Sequence, residues 1–317
     1  MVYYDKNNAS LKLARRIGGA WYRAHLDPGS GDTSGDYAAI ALGADGTAHI
    51  SFHDTANNDL KYGRLLPSGA WQSETIDSAG GIGRYSSIAV AADGTVHIAY
   101  RDDTNSDLKY AVGSYKLWTV QKAVDSYGNV GVYASIAVDG QGQPHIACAY
   151  ASSWDLHYVF KVGGVWQAVQ APETVDSVGY YASLALDANG KAHIAHKDET
   201  TNKVHYTTNK GGSWATTAMP SSTNDGNYAS LVLNPAGGAY IAYKNISSND
   251  VWMVTNVSGT WDVPWLIEAT NNVGDWLSMA QGPDKKLYAS YRDATLGVLK
   301  VARITINNNV DDNCDGY

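Results

Sequence analysis

Apolar residues along this chain fall into short clusters broken by polar, glycine-bearing turns. A cluster such as YSSIAV at 85–90 leads through the turn AADG into a second, VHIAYRD at 96–102. A polar loop follows, then a third cluster, DLKYAV at 107–112, and then a turn resembling G-x-W that opens a fourth. No segment sustains an apolar period of 3.6 residues, so strands are predicted and helices are not. Runs such as IAV and HIAY never settle into clean apolar–polar alternation, as expected of sheets that pack on both faces.

This unit repeats. One aromatic line runs through Tyr37, Tyr85, Tyr133, Tyr181, Tyr228 and Trp276, at spacings of 48, 48, 48, 47 and 48. A second runs through the Trp of each fourth-strand turn: Trp21, Trp71, Trp118, Trp166, Trp214 and Trp261. Four short antiparallel strands in a repeat of this length make one blade of a β-propeller. A linear solenoid is the rival, but its coils are shorter and it needs capping repeats, which are not evident. The first-strand pattern occurs six times, the second and third seven times, and the fourth six times. Residues 2–16 supply the opening partial unit, and VLKVARI at 298–304 is followed by no clear fourth strand. The reading is an all-β propeller of seven four-stranded blades over 1–306, closed by its two termini, with six blades as the alternative. Residues 307–317 form a polar tail.

Composition narrows the function. Net charge is −8, with 23 basic residues spread along the chain, which argues against a nucleic-acid surface. No apolar run reaches the roughly 18–20 residues that span a bilayer. The opening MVYYDKNNAS lacks the build of a signal peptide; because the chain opens in mid-repeat, a leader removed before this start is compatible with it. Cys148, within HIACAY, is expected to be a buried small hydrophobe, and Cys314 lies in the tail. A monomer is expected.

Candidate chemistry comes from positions that the repeat does not hold constant. Near the end of strand two stand Tyr4, His53, Arg101, Ala149, Lys197, Lys244 and Arg292, varied and mostly cationic. Tyr4, His53, Arg101, Lys197, Lys244 and Arg292 are therefore the candidate ligand contacts, on the face where other propellers carry their sites. The next position, mostly Asp (Asp5, Asp54, Asp102, Asp198, Asp293), is read as Asx-turn capping. His49, His97, His145 and His193 recur at one position and give way to Tyr240 and Tyr288. That exchange suits a polar aromatic that hydrogen-bonds across blades better than a metal-ligand set. The repeated Trp residues are expected in the core with indole N–H bonded to backbone, whereas Trp154, Trp252 and Trp265 are candidate stacking platforms, Trp252 also being a replacement for a lysine stem. In the tail, Asp311, Asn313 and Asp315 before Gly316 match the first half of a calcium loop, making calcium a possible cofactor there.

The runs SIAVDGQGQPHIACAY (135–150), SIAVAADGTVHIAYRD (87–102) and SLALDANGKAHIAHKD (183–198) resemble repeats of secreted or surface bacterial propeller proteins. The GAW, GVW, GSW and GTW turns are similar to a degenerate Asp-box hairpin of sialidase-like propellers, and VDDNCDG to metal-binding tail segments of secreted proteins. The resemblance implies an extracellular protein, but a propeller alone does not fix activity. A sialidase-type hydrolase needs an arginine cluster, a nucleophile and a general acid. The chain has eight Arg and four Glu, with only Arg101 and Arg292 at matching positions, so catalysis is disfavoured. A lectin-like protein binding a glycan or another surface macromolecule is the leading expectation. A protein-interaction or surface-display module is the alternative.

Overall fold

The computed structural model describes residues 1–5, 7–26, 34–220, 225–282 and 284–304. Among them the regular elements are all β-strands, arranged in seven sheets that follow chain order. The fold is a seven-bladed β-propeller of antiparallel sheets, and the six-blade alternative is not needed. Blade 3 is typical: Ile82–Val90, Val96–Asp102, Asp107–Ser114 and Leu117–Asp125 lie side by side in that order. Blade 1 holds the counterparts of strands two to four, Val2–Asp5, Ser10–Ile17 and Ala20–His25. Blade 7 holds the counterparts of strands one to three, Val273–Gln281, Leu287–Asp293 and Val298–Ile304. The uneven strand count of the sequence is thus the strand count of the two end blades. The tail with Asp311, Asn313, Cys314 and Asp315 lies outside the described residues.

The chain divides into two compact units, Met1–Ser152 with His157–Gln170, and Ser153–Leu156 with Ala171–Tyr317. Blades 1 to 4 make up nearly all of the first, blades 5 to 7 nearly all of the second. Within the first unit, Leu60 and Tyr62 of blade 2 pack with Ile82, Ile98 and Tyr100 of blade 3. Within the second, Val204 and Tyr206 of blade 5 pack with Leu231, Ile241 and Tyr243 of blade 6. Each such side chain contributes about 1.5–3 kcal/mol by leaving water. Both faces of the sheet are buried, which is why its strands never alternated cleanly in the sequence.

The repeated polar residues are mostly consumed by this packing. The Nδ1 atoms of His49, His97 and His145 meet the hydroxyls of Tyr62, Tyr110 and Tyr158 at 2.7, 2.6 and 2.5 Å, and His193 meets Tyr206 in the same way. These bonds lie within a blade, between strands two and three, not across blades as the sequence suggested. The tyrosine makes the crossing: Tyr62 sits edge-on to Trp118 of the next blade at 4.9 Å, and Tyr110 to Trp166 at 5.1 Å. The indole N–H of Trp118 donates to Glu74 at 2.8 Å and that of Trp166 to Gln121 at 2.5 Å, side-chain acceptors where backbone ones were expected. The strand-two aspartates cap turns as expected; Asp102 accepts from the backbone N–H of Asn105 at 3.0 Å and from its side chain at 2.9 Å. Cys148 is a buried free thiol whose pKa burial pushes up to about 12, so it is chemically quiet.

A carboxylate near the end of a fourth strand joins one blade to the next. Asp77 of blade 2 accepts from Tyr100 at 2.7 Å and from Lys109, both of blade 3. Asp125 of blade 3 meets His157 of blade 4 at 2.8 Å. Glu268 of blade 6 lies 3.7 Å from Lys300 of blade 7.

Candidate functional site

Every full first strand carries the same irregularity. A glycine with positive φ (Gly35, Gly83, Gly131, Gly179, Gly226, Gly274) stands two residues before an aromatic that is itself left-handed. Those aromatics are Tyr37, Tyr85, Tyr133, Tyr181, Tyr228 and Trp276, with φ of 50, 52, 54, 53, 54 and 51°. The left-handed region is unfavourable for bulky residues and costs of order 1–3 kcal/mol each. The strand register shifts at each of these points, so each is a β-bulge. The glycine also permits close approach: a Cβ on Gly83 would stand 2.9 Å from Cα of Leu60 in blade 2.

The residue between glycine and aromatic pairs across the strands with the variable strand-two position. The pairs are Asp36–His53, Arg84–Arg101, Val132–Ala149, Tyr180–Lys197, Asn227–Lys244 and Asp275–Arg292. A fixed, strained frame thus presents one changeable pair per blade, the arrangement expected where a rigid scaffold carries recognition. The aromatics form a row beside these pairs. In the first unit the Tyr37 and Tyr85 rings are 4.6 Å apart and Tyr85 and Tyr133 5.3 Å; in the second, Tyr181 and Tyr228 are 4.8 Å apart and Tyr228 and Trp276 6.0 Å.

The candidate contacts differ sharply in what they have left to offer. Arg101 is buried and engaged: its guanidinium donates to Asp103 at 2.6 Å, to Asn129 at 2.7 Å and to the carbonyl of Val130. Lys197 is buried against Glu199 at 2.5 Å. Lys244, also buried, donates to Asn272 at 2.7 Å and Asp275 at 2.6 Å. Tyr4 is half-buried in blade 1, opposite Leu11. Arg292 is different. Its side chain is 45% exposed, 3.6 Å from Asp275, and its guanidinium lies 5.6 Å from the centre of the Trp276 ring. Trp276 itself is 65% exposed.

The expected stacking platforms are largely occupied. Trp154 stacks on Tyr180 at 4.1 Å with rings 17° from parallel. Trp252 packs into the core between blades 5 and 6, opposite Tyr243 as Lys109 is opposite Tyr100, which makes it the replacement for a lysine stem. Trp265 packs against the core of blades 6 and 7. Sequence reasoning missed Trp276 as a platform, although it is the one tryptophan in a line of tyrosines. It also passed over Arg84, whose signal was the motif glycine–variable–aromatic, present six times.

A second group was also missed. Glu173, His196 and His205 bring ligand-type atoms within 4.8 Å of one another. His205 Nδ1 lies 2.8 Å from Glu173, and His196 Nε2 3.1 Å from its other oxygen. Burial raises the Glu173 pKa, but the two histidine bonds outweigh it and hold the group at about 2. The N–H of Gly179 donates to Nδ1 of His196 at 3.3 Å, which places that ring's proton on Nε2, facing the carboxylate. A metal-bound imidazole carries its proton on the outer nitrogen instead. The trio therefore fits the inter-blade bridge, with His196 and His205 standing where blade 3 has Tyr100 and Lys109, better than it fits a metal.

No protein-family model matches the chain, and no curated protein matches its sequence. Solved structures do resemble it. The Aleuria aurantia lectin, as its N224Q mutant in complex with Fucα1-6GlcNAc, has a TM-score of 0.59 at 12% identity, over 87% of this chain and 93% of that one. A fungal lectin described as a six-bladed β-propeller from the same organism has a TM-score of 0.58 at 14% identity, over 84% and 90%. A polysaccharide lyase, an ulvan lyase, has 0.58 at 12% identity, over 83% and 78%. At these identities the likeness is one of fold.

Proposed function

We propose that this protein is a non-catalytic, lectin-like propeller that binds a neutral glycan, with Trp276, Arg292 and Asp275 as one of its sites. The observation that carries the reading is the exposed Trp276 indole with a half-exposed guanidinium over it and a carboxylate beside it. An indole face takes the C–H side of a sugar, while guanidinium donors and a carboxylate acceptor match neighbouring hydroxyls. Lys244 of blade 6 holds Asp275 of blade 7 in place. The cations at these repeat positions already carry carboxylates: Arg84 and Arg101 meet Asp103, Lys197 meets Glu199, and Lys244 and Arg292 meet Asp275. An anionic sugar would have to displace one of them, which favours a neutral ligand and weighs against a sialidase-like role. The presence of lectins among the structural neighbours supports the same class. Export from the cell, and calcium at Asp311, Asn313 and Asp315, belong to this proposal and rest on the sequence alone.

A glycan array probed with the whole chain, with calcium and again with chelator, tests the reading. Neutral glycans should be retained and Trp276→Ala should lose them. Binding confined to sulfated, sialylated or uronic glycans, or no binding at all, would overturn it.

A further inference from the structure

The parts that make the Trp276 site occur a second time, in the first unit. There a buried cation, Arg101, donates to Asp103 at 2.6 Å, and the other oxygen of Asp103 lies 3.4 Å from Arg84. The Arg84 guanidinium is 5.3 Å from the centre of the Tyr37 ring and 5.9 Å from that of Tyr85, and it donates to the Tyr37 hydroxyl at 3.0 Å. In the second unit the chain of contacts is Lys244, Asp275, Arg292, Trp276. Both are a buried cation fixing a carboxylate, which fixes an accessible guanidinium over an aromatic of the left-handed row.

An independent observation marks the first-unit assembly as a binding place. His53, paired across the strands with Asp36, is only 3% exposed, yet among the described residues neither ring nitrogen has a hydrogen-bond partner. Leaving a buried polar group unmet is costly, so a buried orphan needs a reason. The sister positions show how the fold ordinarily meets this need. Arg101 reaches Asn129 and Val130, and Lys244 reaches Asn272, in each case on the connector leading into the next blade. In blade 2 the imidazole is shorter than either cation, and the residue in place of those asparagines is Gly81, which has no side chain to offer. The His53 ring lies edge-on to Tyr37 at 6.4 Å and feels the charges of Asp36, Arg84, Asp103 and Asp54. Burial lowers its pKa, Asp36 foremost among the acids opposing this, so at neutral pH it presents one N–H and one lone pair. A hydroxyl, both donor and acceptor, complements that pair; an ion of either sign does not.

The geometry points to a second glycan site, formed by His53, Tyr37, Arg84 and Tyr85, that takes a hydroxylated, uncharged sugar residue independently of the Trp276 site. This rests on the glycan-binding reading above and adds a place to it. The shared class follows from the shared parts, and the orphan imidazole supplies this site's own selectivity.

The test uses the whole chain, labelled with 15N, and a panel of probes: the methyl glycosides of fucose, galactose, mannose and glucose. Imidazole signals of His53 and the indole signal of Trp276 are followed as each glycoside is added. At least one glycoside should move both, and the His53 response should survive in Trp276→Ala. Arg84→Ala should weaken the His53 response tenfold or more and leave the indole response unchanged. His53→Arg, which gives blade 2 the residue that blade 3 carries at this position, should remove binding at this site alone while the thermal midpoint is kept, so a folding defect cannot imitate the result. An indole response without one at His53, across the panel, would overturn this inference and leave the proposed function standing. Silence at both groups would overturn both.

Discussion

At the scale of the residue, the histidine column shows how a polar group can be structural. His97 is buried, bonded to Tyr110, and burial holds its pKa down at about 4. The unfolded chain has an ordinary imidazole near 6.5, so between about 6.5 and 4 it binds the extra proton and the folded chain does not. Stability therefore falls as pH drops through that window, and His49, His145 and His193, also lowered by burial, act in the same direction. His97→Tyr, the exchange that the repeat makes at Tyr240 and Tyr288, should cost no more than about 1–2 kcal/mol at pH 7. It should also flatten part of the loss between pH 6.5 and 4. Urea unfolding at pH 7 and pH 4.5 checks both; an unchanged pH slope would mean that His97 is already charged in the fold. The structural role was legible from the His-to-Tyr exchange alone. Its partner was not, because Tyr110 lies thirteen residues away on the neighbouring strand and only pairing brings it opposite.

At the scale of the element, the joint between blades combines close backbone approach with a buried charge. Gly83 lets blade 3 approach the backbone of blade 2, and Asp77 then receives Tyr100 and Lys109. The Lys109 side chain is only 7% exposed, so Asp77→Ala would leave an ammonium buried without its counter-charge. Breaking a buried pair from one side costs about 3–5 kcal/mol, and Lys109→Met in the same chain should recover a large part of it. Chemical denaturation of the single and double variants measures this; additive costs would mean that the two groups do not act as a pair. The carboxylates were visible in the sequence only as scattered acids at strand ends. What hid them was the change of partner from blade to blade: Tyr and Lys in blade 3, His157 in blade 4, His196 and His205 in blade 5.

At the scale of the whole molecule, the repeat made the seven-bladed propeller and its two three-stranded end blades legible, since a period near 48 residues with four apolar clusters has few other solutions. The site was legible only in part. Variation at the end of strand two singled out the positions that face the bulge, but it could not separate Arg292, exposed over an indole, from Arg101, buried with three acceptors. That difference depends on the facing residues Asp275 and Arg84, which sequence order places far from strand two and the bulge brings opposite. The central claim is that neutral sugar binds over Trp276, and calorimetric titration of one neutral oligosaccharide retained on the array tests it most directly. Relative to the parent, Trp276→Ala and Arg292→Ala should each weaken binding roughly tenfold or more, as a lost charged contact or a stacking anchor is worth about 1.5–3 kcal/mol, with the thermal midpoint almost unmoved. Parent-like affinity in both variants would contradict the account.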